Sequence, residues 1–274
     1  MKLRFFALIT LLLMAGAASA QQAAAPAVQG TIVDGIGLPG QAWTSLGNVS
    51  PIEHNNVYSQ SYFEQGATVW ASTSGTVTVT PYASLGLLFD TNGDPWNNSI
   101  QPTAGLKANK FFRNGVVSFG SAYAYQDRFD SIHSSALMYY AQDWFGWQPV
   151  TEKASRFPGS TWAILGNISP VEHGNLIAQG FISQGVIAKR FKAATLVPFG
   201  QTTLSRDTHG FDWDNKAIYG GGLKTVVPHG DAYTEFGLAY LRERRFDPDR
   251  SAGQVAIFMN FSFGWNLLGR KVGR

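Results

Sequence analysis

Two stretches of the chain are copies of one another, and that duplication limits the folds open to it. LPGQAWTSLGNVSPIEHNNVYSQSYFEQG starts at Leu38 and FPGSTWAILGNISPVEHGNLIAQGFISQG at Phe157, an offset of 157 − 38 = 119. From Pro39 to Gly66, 14 of 28 positions are identical to their partners, where unrelated sequences of ordinary composition share about two. The correspondence continues downstream. Trp96-Asn97-Asn98 faces Trp213-Asp214-Asn215, and Gly105-Leu106-Lys107 faces Gly222-Leu223-Lys224. Arg128-Phe129-Asp130 faces Arg245-Phe246-Asp247, and Phe145-Gly146-Trp147 faces Phe263-Gly264-Trp265. The chain therefore reads as one unit used twice, residues 38–147 and 157–274, with a linker over 148–156 and another over 21–37.

Within each copy the hydrophobic period is two. Val255, Ile257, Met259, Phe261, Phe263, Trp265 and Leu267 fall on one face of a strand, with Ala256, Asn260, Ser262, Gly264 and Asn266 on the other. Such an alternation outlasts the five or six residues of a typical soluble strand. Turn-forming clusters separate these runs, among them Asp90 to Asn98, Arg113-Asn114-Gly115 and Asp247-Pro248-Asp249. Five long strands per copy are expected, starting near Val57, Thr76, Ile100, Val116 and Ala136, with a shorter sixth through Trp43 to Asn48. Two soluble sandwiches fit that count, and so does one closed barrel. Strands of roughly 10 to 15 residues match what a tilted strand needs to cross a bilayer. A face of large apolar residues backed by small or polar ones matches lipid outside and lumen inside. Trp70, Trp144, Trp147 and Trp265 fall at strand ends, where an interfacial girdle belongs. The expectation is an all-β, antiparallel transmembrane β-barrel of 10–12 strands, built from two tandem five- or six-strand repeats.

Residues 1–20 carry an address. Lys2 and Arg4 precede an apolar run from Phe5 to Leu13, and Ala18-Ser19-Ala20 offers a small-residue cleavage site, the pattern of a secretory signal peptide. Removing it takes the basic count from 21 to 19 against 18 acids, so the +3 balance shrinks to +1. That is too little to hold nucleic acid. Charged residues make up 14% of the chain, well under the usual quarter or so. Without cysteine, an exported chain has to be stabilised by burial or by a closed sheet.

Taken together, the mature chain resembles Gram-negative outer-membrane β-barrels. The segments GNVSPIEHNN…SQSYFEQG and GNISPVEHGN…AQGFISQG, with the late Phe263-Gly264-Trp265, resemble the membrane domain of the bacteriophage N4 adsorption protein A type. The resemblance implies an association with surface-polysaccharide systems and phage adsorption. It departs in two places: no helical-repeat domain is seen ahead of the barrel region, and nine residues follow Trp265.

The retained polar residues are the candidate sites. Glu53-His54 and Glu172-His173 occur in both copies. Read as ligands, they supply four groups, the number zinc takes. Read as structure, they follow Ser50-Pro51 and Ser169-Pro170 and belong to a turn entering a strand. The second reading is preferred, and no metal or cofactor is expected. Lys107 and Lys224 oppose Leu106 and Leu223 by strand parity and should point into the lumen, either tuning a passage or completing interior salt bridges. Trp96 and Trp213 sit in polar loops suited to stacking on sugar or to interfacial anchoring. His133-Ser134-Ser135 is the one serine–histidine neighbourhood to weigh for catalysis, but adjacent strand residues face opposite ways. No catalytic residue is assigned.

Ten to twelve strands lie between a side-chain-filled barrel of eight and an aqueous channel of sixteen. The expected function is an outer-membrane barrel, non-enzymatic, acting as a surface scaffold or receptor or as a narrow pore in envelope or exopolysaccharide biology. Its expected partners are outer-membrane lipid and polysaccharide or its export components. Two alternatives are a secreted periplasmic β protein that binds glycans through aromatics, and an outer-membrane lipid or peptide hydrolase.

Overall fold

The computed structural model describes residues 37–94, 97–130, 132–230 and 232–267. The signal-peptide segment, nearly all of the 21–37 linker, and Trp96 lie outside the described residues. The first half contributes β1 (Pro39–Gly47), β2 (Tyr58–Gly66), β3 (Trp70–Ala71), β4 (Val77–Asp90), β5 (Ser99–Phe112), β6 (Gly115–Arg128) and β7 (Ile132–Trp147). The second contributes β8 (Gly159–Gly166), β9 (Ile177–Gly185), β10 (Lys189–Arg190), β11 (Thr195–Asp207), β12 (Lys216–His229), β13 (Ala232–Phe246) and β14 (Asp249–Asn266).

Twelve of these strands close into one antiparallel ring. Neighbours in sequence pair throughout, except that β2 pairs β4 past the two-residue β3, and β9 pairs β11 past the two-residue β10. The ring shuts where β14 pairs β1, from Asn266 opposite Pro39 to Phe258 opposite Gly47. The joint between the halves, β7 with β8, runs in the corresponding register, from Trp147 opposite Gly159 to Tyr140 opposite Gly166. Each half thus supplies six ring strands and one short one. Closure gives every ring strand a partner on both sides, although β7 before Tyr140 and β14 before Phe258 run past the ends of the short strands β8 and β1.

Burial runs opposite to that of a water-soluble domain. Leu106, Phe119, Tyr123, Tyr139, Leu238, Tyr240, Val255 and Ile257 are exposed on the outside of the ring. Their strand neighbours on the inside include buried Lys107, Ser118, Ala122, Ala124, Ala239, Leu241 and Ala256. Val255 is 61% exposed and Ala256 fully buried, as strict alternation between an outer face and a lumen demands. The period-two reading of the last strand holds through Ser262, beyond which Phe263, Gly264, Trp265 and Asn266 are all half-buried.

Both described strand termini, at Pro39 and Asn266, lie at one end of the ring. Here Trp147 Nε1 donates to Gln184 Oε1 at 3.0 Å and Trp265 Nε1 to Gln65 Oε1 at 2.9 Å, equivalent bonds in the two halves. With the exposed Trp70, they supply the indoles expected of a girdle at this end. Trp144 is a correction to that expectation. Its even position on β7 turns it inward, where it lines a lumenal cavity with Tyr140 and Trp162.

Candidate functional site: the loop end and the lumen

The opposite end of the ring carries the duplicated motif. β1, β2, β8 and β9 are only eight or nine residues long, whereas the other ring strands run to 13–18. The ring is therefore low at two places, and the loops 48–57 and 167–176 fold into those notches. The motif reads directly as the chemistry of that fold. A Cβ on Gly47 would sit 2.6 Å from the Ile257 carbonyl oxygen, and one on Gly166 2.3 Å from that of Tyr139, so only glycine lets the chain pass. Asn48 then extends the ladder with its side chain, donating to Val255 O and accepting from Ile257 N at 2.7 Å. Asn167 does the same with Leu137 O and Tyr139 N.

The next residues reach a strand contributed by the preceding half of the ring. Ser50 Oγ donates to Glu243 at 2.7 Å and Ile52 N to the same carboxylate at 3.3 Å. Ser169 Oγ and Val171 N donate to Gln126, the residue equivalent to Glu243. Glu53 and Glu172 are the hubs. Arg245 Nη2 lies 2.7 Å from Glu53, and Arg128 Nη2 lies 2.8 Å from Glu172. Each half's arginine therefore grips the other half's glutamate. Glu53 also accepts from Tyr58 and from Asn97.

Behind each glutamate stands a fully buried asparagine. Asn56 Nδ2 donates to Asp90 at 2.6 Å while its Oδ1 accepts from Thr91 and Asn92 backbone N–H groups. Asn175 repeats this with Asp207, Thr208 and His209. Asn98 and Asn215 close the turns onto Asp90 and Asp207. Buried asparagine with every amide atom engaged is a costly group made stable by full pairing. Asp94, in the same β4–β5 loop, has its carboxyl raised above the ordinary range, first by burial and then by the neighbouring Asp90 and Glu53 charges.

Glu53, His54, Glu172 and His173 do not assemble into a ligand set. Among the described residues no three His, Cys, Asp or Glu side chains gather as metal ligands. His54 is exposed, and His173, also exposed, meets Ser134 Oγ through Nε2 at 3.0 Å. That serine–histidine pair is formed between the start of β7 and the 167–176 loop, and is invisible in the His133-Ser134 adjacency. His133 instead packs against the Tyr125 ring. Among the described residues no carboxylate engages His173, so the pair lacks the orienting acid of a hydrolase triad. Trp213 is half-buried and stacks on Phe211, ring centroids 4.7 Å apart, so one of its faces is already occupied.

Lys107 and Lys224 point into the lumen, and each has an acid. Lys107 Nζ lies 2.7 Å from Glu64, and Lys224 Nζ 2.8 Å from Glu235. Glu64 on β2 corresponds to Ser183, and Glu235 on β13 to Ser118, so the two halves recruit the acid from different strands. Each ammonium also sits over an aromatic ring, Tyr82 at 5.0 Å and Phe199 at 5.3 Å, an attraction strengthened where water is scarce.

Around those rings the halves diverge. In the second, Phe199, Ile218, Ala239, Leu241 and Ala256 pack with Phe258 into an apolar cluster. In the first, the corresponding Tyr82, Gln101 and Tyr140 keep polar atoms, and Tyr140 donates to Tyr82 at 2.8 Å. A cavity of about 140 Å³ lies beside them, and a second of about 80 Å³ adjoins it toward Arg128 and Ser169 at the loop end.

No protein-family model and no curated protein sequence matches this chain. Solved structures similar to it include the β domain of the Bordetella autotransporter BrkA, at 11% identity and a TM-score of 0.41, covering 85% of this chain and 99% of that one. The Acinetobacter baumannii outer membrane channel DcaP shares 7% identity at a TM-score of 0.35, covering 84% and 96%. The autotransporter NalP translocator domain from Neisseria meningitidis shares 11% at 0.34, covering 84% and 88%. The description of the chain as a closed antiparallel barrel rests on its own strand pairing.

Proposed function

We propose that the protein is a β-barrel of the Gram-negative outer membrane, serving as a non-enzymatic scaffold or receptor with a narrow, mostly filled lumen. The observation that carries this reading is the inversion of polarity across the closed ring. Large apolar side chains cover the outside while lysine, glutamate, arginine, asparagine and glutamine are buried inside. In water such a surface is a liability, because contiguous exposed apolar patches drive association. In lipid it is the favourable arrangement. The alternation, the terminal-end indoles and the export signal over residues 1–20 all support the same location. The proposed partners are bilayer lipid around the belt and saccharide chains at the loop end. The saccharide partner rests on the resemblance to phage-adsorption barrels of polysaccharide systems.

Fractionation tests the location. The protein should sediment with outer membranes and migrate faster in gels before heating than after, and recovery in the soluble periplasm would overturn the reading. Mass spectrometry of the membrane-derived protein should find Gln21 as its first residue, for cleavage after Ala20. A second reading, a narrow pore, is favoured by the two adjoining lumenal cavities. In planar bilayers it gives small, steady conductance, whereas a plugged scaffold gives none.

A further inference from the structure

The cavity beside Tyr82 and Tyr140 has an unusual lining for a barrel interior. Trp43, Trp144 and Trp162 present indole surface, and Tyr62 stacks on Trp43 with centroids 6.0 Å apart. Between the aromatics stand uncharged polar groups: Gln101, Gln142, Ser84 and Thr103. Asp143 is the only acid in the lining, and no lysine or arginine contributes. Two polar groups are left over. Trp162 is 4% exposed, and its indole N–H, enclosed by protein and out of reach of the cavity, meets no acceptor. The Gln101 amide nitrogen is directed at the Ile168 carbonyl oxygen at 3.4 Å and at Met138 Sδ at 3.9 Å, leaving its own oxygen without a donor.

Those features select a ligand class. A cavity of about 140 Å³ is the size that holds one six-membered ring. An acyl chain would leave the uncharged polar groups of the lining, the glutamine oxygen among them, without a partner. An anion would meet Asp143 and no cation. A ring with apolar C–H faces and hydroxyls around its rim satisfies both the aromatic walls and the uncharged polar groups. We propose that this first-half cavity binds a single uncharged pyranose ring, with its C–H faces against the indole and phenol walls and Gln101 Oε1 accepting from a hydroxyl. The second half supplies its own negative control. There Gln101 is replaced by Ile218, Tyr82 by Phe199 and Tyr140 by Phe258, and the space is packed with side chains. The adjoining cavity toward Arg128 and Ser169 connects the site to the loop end. This inference rests on the barrel reading and adds a ligand to it.

Isothermal titration of the detergent-solubilised full chain with glucose, galactose and N-acetylglucosamine tests the proposal. At least one of the three should bind saturably in the millimolar range, while cyclohexanol and inorganic phosphate should not. Trp162→Phe, which removes part of the indole wall, and Gln101→Ile, which installs the second half's residue, should each weaken binding about tenfold. Trp213→Phe, at the loop end, should leave it unchanged. Heat-shifted gel mobility checks that each variant is folded, and if one is not, the other variant and the parent titration decide. Absence of saturable binding by every hexose, equal binding of cyclohexanol, or loss through Trp213→Phe alone overturns the proposal. A barrel that inserts into membranes but binds no hexose sinks this inference and leaves the membrane reading standing.

Discussion

The two halves of the ring share a register, a loop motif and a lumenal lysine, yet they treat buried polarity differently. At the loop end the first half's arginine, Arg128, meets Glu172 while Gln126 stays uncharged. Its counterpart Arg245 contacts Glu53, Glu243 and Asp212 together, with Arg250 on Asp212 and Lys216 near Glu243. In the lumen the contrast is reversed, with hydroxyls and amides in the first half and phenyl rings in the second. The lesson is that the scaffold asks for a filled, paired interior at each position and leaves the chemistry of the filling free.

The largest test of that contrast is the loop-end arginines. Arg245→Ala leaves Glu243, fully buried, facing Glu53 and Asp212 without its main cation. Stability should fall by about 3–5 kcal/mol, the cost of breaking a buried ionic network. Arg128→Ala orphans a single glutamate and should cost about 2 kcal/mol. Urea unfolding in phospholipid vesicles, followed by tryptophan fluorescence, measures both, and equal losses would break the comparison.

The lumenal lysines come next. Lys107→Met should cost about 2–3 kcal/mol because Glu64 is buried, and adding Glu64→Gln should recover most of it. Lys224→Met should cost less, since its pair with Glu235 retains 17% and 19% exposure. A double variant at Lys107 and Glu64 that is no better than the single would show that charge pairing is not what the site needs.

Smaller still is the hydroxyl pair. Tyr140→Phe should cost about 1 kcal/mol, one neutral hydrogen bond. Phe258→Tyr in the other half places a hydroxyl against the Phe199 ring and should be relieved when Phe199→Tyr is added. Additive effects in that double variant would refute the equivalence of the two sites. At the bottom of the scale, Arg244→Ala breaks an exposed pair with Asp249, and the unfolding midpoint should not move measurably.

Much of this is legible in the chain because a closed ring with one outward and one lumenal face enforces alternation: the outward run Val255 to Phe261 and the inward Lys107 and Lys224 follow from parity alone. The repeat likewise marked Arg128 and Arg245 as retained residues, but not their role. Their glutamates lie 44 and 192 positions away, and nothing local specifies such a contact. The acids for the lysines were hidden for a different reason. Glu64 and Glu235 occupy non-equivalent positions, so searching one copy for the other's partner finds serine. Trp144 was assigned to the outer girdle from its place near a strand end, where parity sends it inward.

The joint that shuts the ring is built like the joint between the halves. β14 meets β1 with the same offset that β7 meets β8, and the same asparagine ladder and indole–glutamine bond flank both joints. One joint is bridged by the 148–158 loop and the other by no peptide bond, yet their backbone registers are equivalent, and the closing joint adds side-chain bonds of its own from Ser45 to Asn260 and from Gln254 to Asn48 and Ser50. The backbone pairing at these two joints thus does not depend on which of them the chain crosses. A circular permutant opened in the 148–158 loop, with Leu267 tied to Leu38, would present the same two joints with their covalent roles exchanged, and two separate half-chains carry all the pairing information needed to meet head to tail.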